Sequence, residues 1–107
     1  MSKSAKIVSM KKFCLDLTVS SAEKLSDKNV LLKLTFHEAL PDMQPGQFVE
    51  VRVDNSPSTF LRRPISINFV DHARNELWLL VAALGDGTRH LMTLRSGDIL
   101  NCVLPLG

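Results

Sequence analysis

The chain has 107 residues, enough for one domain around one core. Its 45% apolar and 22% charged residues match an ordinary globular protein and exclude a disordered chain. Thirteen basic and eleven acidic residues leave a formal charge of +2. The basic residues are scattered apart from Lys11-Lys12 and Arg62-Arg63, so nothing points to a nucleic-acid surface.

At the start, Met1-Ser-Lys-Ser-Ala-Lys6 is charged and no apolar stretch follows, which argues against a signal peptide. No apolar run reaches the roughly 20 residues that cross a bilayer. A cytoplasmic location without a membrane partner is the expectation. Alternation with a period of two then dominates. Residues 13–19 put Phe13, Leu15, Leu17 and Val19 on one face, and residues 29–36 do the same with Val30, Leu32, Leu34 and Phe36. Ser26-Asp27-Lys28-Asn29 reads as the turn between them. Pro45-Gly46 suits the centre of a type II turn, with Pro fixing φ and Gly accepting a positive φ.

A third strand follows over 47–53, then a loop over 55–59, a fourth strand over 64–69 and a turn over 71–75. A fifth strand over 76–83 shows Glu76, Trp78 and Leu80 on one face and Leu77, Leu79 and Val81 on the other. After Gly85-Asp-Gly-Thr88 the period changes. Leu91 and Leu94 stand at i and i+3, which predicts a short helix over 89–94 with Asp86 or Thr88 as N-cap. Ser96-Gly97-Asp98 stops it, 99–103 is a sixth strand, and Leu104-Pro-Leu-Gly107 closes the sequence. Six short strands, regular turn signals and one late helix predict an all-β fold, an antiparallel barrel or sandwich. An apolar strand running into Leu-Pro-Leu-Gly is expected to be a domain boundary or a truncation at Gly107.

The chemistry-bearing residue types are few. Cys14 and Cys102 have no C-x-x-C spacing, so no disulfide scaffold, zinc site or iron–sulfur ligand set is visible. Two buried or half-buried free thiols are expected. His37, His72 and His90 share no metal-ligand spacing, and no metal site is expected.

Two segments stand out. In Leu61-Arg-Arg-Pro-Ile-Ser-Ile67, Arg63 offers a planar fork of donors suited to a phosphate. Pro64 removes one N–H, and Ser66 adds a hydroxyl that donates or accepts. One short strand of this kind can meet a phosphate with a side chain and a planar ring with its backbone. In Gly85-Asp-Gly-Thr-Arg-His-Leu91, glycine lets backbone amides approach a ligand closely, though the spacing is neither G-x-G-x-x-G nor a P-loop. Each segment alone also reads as plain structure: a strand with a solvated arginine, and a strand-to-helix turn.

Their order over residues 41–107 is more telling: a Pro-Gly turn, a strand, Arg-Pro-Ile-Ser, a strand, Gly-Asp-Gly-Thr, a short helix, Gly-Asp, a strand and Pro-Leu-Gly. This series resembles the FAD-binding domain of the ferredoxin–NADP reductase superfamily. Within it, the series is most similar to the branch of electron-transfer subunits that serve NAD-dependent dihydroorotate dehydrogenases. Residues 10–40 fit as the first two barrel strands.

The resemblance implies a six-stranded antiparallel Greek-key barrel with one short helix, residues 1–107 forming one FAD-binding domain. It implies that Arg63 pairs with the FAD pyrophosphate. Pro64, Ile65 and Ser66 line the isoalloxazine, with Ser66 near N5 as the catalytic hydroxyl. Leu80, Val81 and Ala82 run past the ribityl and adenosine portion, and Gly87 and Thr88 give backbone amides to the pyrophosphate. Ile65 departs from the aromatic residue that many superfamily members place there, and Leu104 stands where the family often has Gly. An NAD(H) site and a [2Fe-2S] cluster are implied only for a further C-terminal part, so 1–107 alone is expected to bind FAD weakly and not to be reduced by NADH. The implied partner is a catalytic dehydrogenase subunit containing FMN, in pyrimidine biosynthesis. Alternatives are a subunit of a sulfhydrogenase or of a ferredoxin–NADP transhydrogenase and, in another class, a small β-barrel binding module without flavin. The last needs exposed aromatics and a basic groove, against no Tyr, one Trp and near-neutral charge here.

Overall fold

The computed structural model describes residues 12–54 and 61–107; the loop expected over 55–59 lies outside them. Six strands and one helix follow in chain order: β1 (Phe13–Ser26), β2 (Asn29–Thr35), β3 (Phe48–Val51), β4 (Arg63–Asp71), β5 (Glu76–Ala82), α1 (Asp86–Leu91) and β6 (Ile99–Leu106). The strands close into an antiparallel barrel in the order β1-β2-β5-β4-β3-β6. β3, β4 and β5 are consecutive neighbours and β2 lies beside β5, which is the Greek-key connection the resemblance implied.

Apolar residues at every second position drive the closure. Val30, Leu32 and Leu34 of β2 stand opposite Val81, Leu79 and Leu77 of β5, all turned inward. Leu17, Val19, Val49, Val51, Ile65, Ile67, Leu100, Cys102 and Leu104 complete the filling from the other four strands. Each such side chain withdrawn from water contributes about 1.5–3 kcal/mol. Closure also pairs every strand with two neighbours, so no strand is left as a full edge.

Irregularities in the strands explain where the expected boundaries moved. β1 continues past residue 19 to Ser26, because a bulge at Ser20 shifts the register between Val19↔Leu34 and Ser21↔Lys33. The extra residue resets the inward phase from odd to even numbers, so Ala22 packs on the core and the alternation breaks off in the sequence. The Ser20 hydroxyl donates to the Lys33 carbonyl at 2.9 Å and so makes use of the bulge. A second bulge, between Ile67↔Leu79 and Phe69↔Trp78, turns Phe69 outward against the edge of Trp78, with ring centroids 5.0 Å apart.

The type II turn forms as expected: Gly46 has φ +96° and the Gln47 N–H donates to the Gln44 carbonyl at 3.1 Å. Asn75, at φ +55°, has a role that the sequence did not announce. Its side-chain amide donates to the Phe36 and Glu38 carbonyls and accepts from the Leu40 N–H, tying the β2–β3 connection to the β4–β5 turn. β6 continues through Leu104-Pro105-Leu106; Leu104 is fully buried opposite Phe13, and Leu106 is buried opposite Phe48. The expected sixth strand over 99–103 is therefore too short. Cys102 is buried as expected, whereas Cys14 is exposed on the outer face of β1.

Candidate functional site: a cleft where two strands part

β4 changes partner halfway along. Its first half, Arg63 to Ser66, is in register with Val51 to Phe48 of β3, and its pairing with β5 starts only at Ile67↔Leu79. Between the first half of β4 and the end of β5 a cleft of about 650 Å³ opens, within the range of small-molecule and cofactor sites. It is lined by Leu61, Arg63, Pro64, Ile65 and Ser66, by Leu80 and Ala82, and by the turn from Leu84 to Thr88.

The pleat sorts these residues. Ile65 and Ile67 point into the barrel, while Pro64 and Ser66 are exposed on the cleft side. The Ile67 N–H donates to the Gln47 carbonyl at 2.9 Å, toward β3. The backbone polar groups of Ser66, one residue earlier, therefore aim the other way, toward β5 and the cleft. On β5 the alternation decides between neighbours. Leu80 is 44% exposed and lines the cleft with Ala82, whereas Val81 is 1% exposed and belongs to the core. Of the nine residues that the sequence singled out, the structure thus brings eight along one cleft and leaves out Val81; the side chains of Ile65 and Val81 both point into the barrel.

The turn that roofs the cleft is held by Thr88. Its Oγ1 accepts from the Leu84 N–H at 2.9 Å and from the Gly85 N–H at 3.0 Å. These bonds start α1 at Gly85, the N-cap, so neither Asp86 nor Thr88 caps the helix; Thr88 is its third residue and reaches back. The Arg89 N–H donates to the Gly85 carbonyl at 2.8 Å, the first helical bond. Consequently α1 begins three residues before the segment 89–94 in which i, i+3 spacing suggested it. Leu91, 1% exposed, anchors it to the core.

The electrostatics of the cleft rest on one cation. Arg63 is exposed, and among the described residues no carboxylate lies within ion-pairing distance of it. Asp86 also lines the cleft, but Arg89 binds its Oδ1 at 2.6 Å and offsets its charge. An anion entering here meets the Arg63 fork on one side and the turn 85–88 on the other, although 24 positions separate Arg63 from Gly87 in the chain. The apolar wall is unusual for a surface: Leu61 and Leu84 are 78% and 87% exposed, and both line the cleft beside Leu80. Exposed leucines gathered at a concave site suit a planar apolar group. The residues singled out from the sequence did not include Leu61, Leu84, Gly85 and Asp86, although Leu61, Gly85 and Asp86 belong to the two quoted segments and Leu84 directly precedes the second.

Comparisons with known proteins agree with this architecture. No family model matches the chain. The dihydroorotate dehydrogenase B (NAD(+)) electron transfer subunit of Lysinibacillus sphaericus is 45% identical over 78 residues, which is 72% of this chain and 30% of that protein. The subunit of the same description from Bacillus cereus is 44% identical over 64 residues, 60% of this chain and 25% of that one. The matched stretch thus spans less than a third of the length of these relatives.

Among solved structures, a phthalate dioxygenase reductase, a modular structure for electron transfer from pyridine nucleotides to [2Fe-2S], superposes with a TM-score of 0.73 at 24% identity. It covers 86% of this chain and 29% of that one. A ferredoxin NADP+ reductase from Neisseria gonorrhoeae with bound FAD and NADP superposes with a TM-score of 0.66 at 13% identity, over 87% of this chain and 39% of that one. By sequence, the chain is a relative of the dihydroorotate dehydrogenase B electron transfer subunits, folded as the barrel that ferredoxin–NADP reductase-like proteins share.

Proposed function

We propose that the cleft holds FAD and that the chain is the cofactor-binding barrel of an electron-transfer subunit of a dihydroorotate dehydrogenase. The observation that carries this reading is the convergence of Arg63, Ser66, Leu80 and the turn 84–88 on one cleft. The donor set fits the cofactor: a guanidinium without a carboxylate partner among the described residues suits a diphosphate, and an apolar floor with an exposed hydroxyl suits a flavin ring. Support also comes from the relatives, which are described as electron transfer subunits, and from the Neisseria neighbour, which is described with bound FAD.

Bound FAD supplies the exchange of a two-electron hydride for single electrons. The chain's own residues hold and orient it. Arg63 and the amides of Gly87 and Thr88 would take the diphosphate. Pro64, Ile65 and Ser66 would line the ring, with the Ser66 hydroxyl offered to N5, and Leu80 and Ala82 would flank the ribityl chain. Val81 contributes only to the floor beneath, from the core side. The electron donor in this reading is NAD(H), and the partner is a catalytic dehydrogenase subunit containing FMN, with a [2Fe-2S] cluster between them in the assembled enzyme.

Titration of FAD into the purified chain, followed by flavin fluorescence, tests the reading. Saturable quenching that excess FAD reverses for a pre-bound fluorescent analogue is the expected result. A folded chain that shows no saturable FAD binding would remove the flavin assignment and leave a small barrel.

A further inference from the structure

Arg62 precedes the cleft arginine and points to the opposite seam of the barrel. Its Nη1 donates to the Glu50 carbonyl at 3.2 Å and to the Asn101 carbonyl at 3.3 Å. Its Nη2 donates to Asn101 Oδ1 at 2.5 Å and lies 3.9 Å from Cys14 Sγ. Asn101, buried on the outer face of β6 between the inward Leu100 and Cys102, passes the contact on: its Nδ2 donates to Asp16 Oδ1 at 2.7 Å. One guanidinium therefore joins the residue before β4 to β3 and β6, and through Asn101 to β1.

The position of this clamp matters more than its size. The β3–β4 register ends at Val51↔Arg63, and on the β5 side β4 has no pairing before Ile67. Among the described residues the backbone ladder offers nothing beyond Arg63 to hold the start of β4, and the Arg62 side chain takes over. Five donors in a rigid planar fork let it hold two backbone carbonyls and one side-chain carbonyl together, a geometry that an ammonium does not reproduce.

We infer that Arg62 is a positioning residue for the cleft: by clamping the start of β4 to the β3–β6 seam, it fixes the direction in which Arg63 projects. This rests on the reading that Arg63 holds the phosphate end of FAD. Arg62 itself touches no ligand; its charge is spent on the seam while its neighbour faces the cleft. The Arg-Arg pair is thus divided between one arginine that holds the strand and one that holds the anion.

A double-mutant cycle tests this, with FAD affinity measured for the wild-type chain, Arg62→Lys, Arg63→Ala and the double variant. Lysine keeps the charge and most of the stem and loses the fork, so the folded chain is retained. Arg63→Ala and Arg62→Lys are each expected to weaken FAD about tenfold, and the double variant no more than Arg63→Ala alone. The ligand-free measurement is amide exchange. In Arg62→Lys it is expected to speed up about tenfold at Val51, Arg63 and Ile65, and to stay unchanged on β2.

Arg62→Lys binding as tightly as wild type, multiplicative losses in the double variant, or exchange raised equally throughout the barrel would each overturn the inference. If Arg63→Ala alone leaves FAD affinity unchanged, the reading of the cleft fails instead, and the exchange data still decide whether Arg62 clamps the strand.

Discussion

The two sides of β4 show how one barrel divides stability from binding. On the β3–β6 side the start of β4 is laddered to β3 from Arg63 to Ser66, Leu104 and Cys102 are fully buried, and Asn101 accepts from Arg62 and donates to Asp16. On the β5 side the ladder stops at Ile67, and three leucines and an arginine stand exposed around the gap. The seam gains its free energy from burial; the cleft leaves apolar surface and a cation in water that a ligand could cover. Substitutions of buried seam side chains should therefore show as losses of stability and substitutions in the cleft as losses of affinity, with Arg62 the one seam residue expected to link the two.

The largest effect is expected on the seam. Leu104→Ala removes a fully buried side chain and should cost about 2–5 kcal/mol in a urea unfolding curve, with FAD affinity of the folded fraction little changed. In the cleft, Arg63→Ala should do the reverse. FAD affinity should fall about tenfold, read by fluorescence titration, while the unfolding free energy moves by no more than about 0.5 kcal/mol. A chain in which both substitutions cost stability alike would show that the two regions are not energetically distinct.

The seam should also respond to pH. Burial pushes the Cys102 thiol up to about 12. In the unfolded chain the thiol ionises near its ordinary value of about 8.5, while the fold keeps it protonated. The unfolded state then binds fewer protons, so stability is intact below that ordinary value and falls as pH rises from there toward about 12. The slope should approach about 1.4 kcal/mol per pH unit, and Cys102→Val should flatten it. Urea midpoints at pH 8 and pH 10 for both chains check this. The smallest effect belongs to the roof of the cleft. Thr88→Val removes the acceptor for the Leu84 and Gly85 amides and should cost about 1 kcal/mol, and Thr88→Ser should restore it. Thermal denaturation of the two variants measures the difference.

Residues that repeat with a period of two were legible without a fold. Val30, Leu32 and Leu34, and Leu77, Leu79 and Val81, announce their inward faces because a pleated strand has no other way to bury them. The Pro45-Gly46 turn was legible for the same local reason, since its dihedral angles suit those two residues. The ends of elements were not. The bulge at Ser20 hides the second half of β1, because one inserted residue exchanges the faces, and its cause lies on β2. The start of α1 depends on a hydroxyl that reaches back to Leu84 and Gly85, which hydrophobic spacing does not record.

The same division runs through the site. Sequence alone determined which residues could meet a phosphate and a planar ring, Arg63, Pro64, Ser66 and the glycine turn, because donor geometry and backbone freedom are properties of residue types. Tertiary structure decided that they share one cleft, that Leu80 faces it while Val81 does not, and that Arg62 faces away from Arg63. Those outcomes follow from where β4 leaves β5 for β3, and strand partnership is set by the closure of the whole barrel rather than by any short segment of the chain.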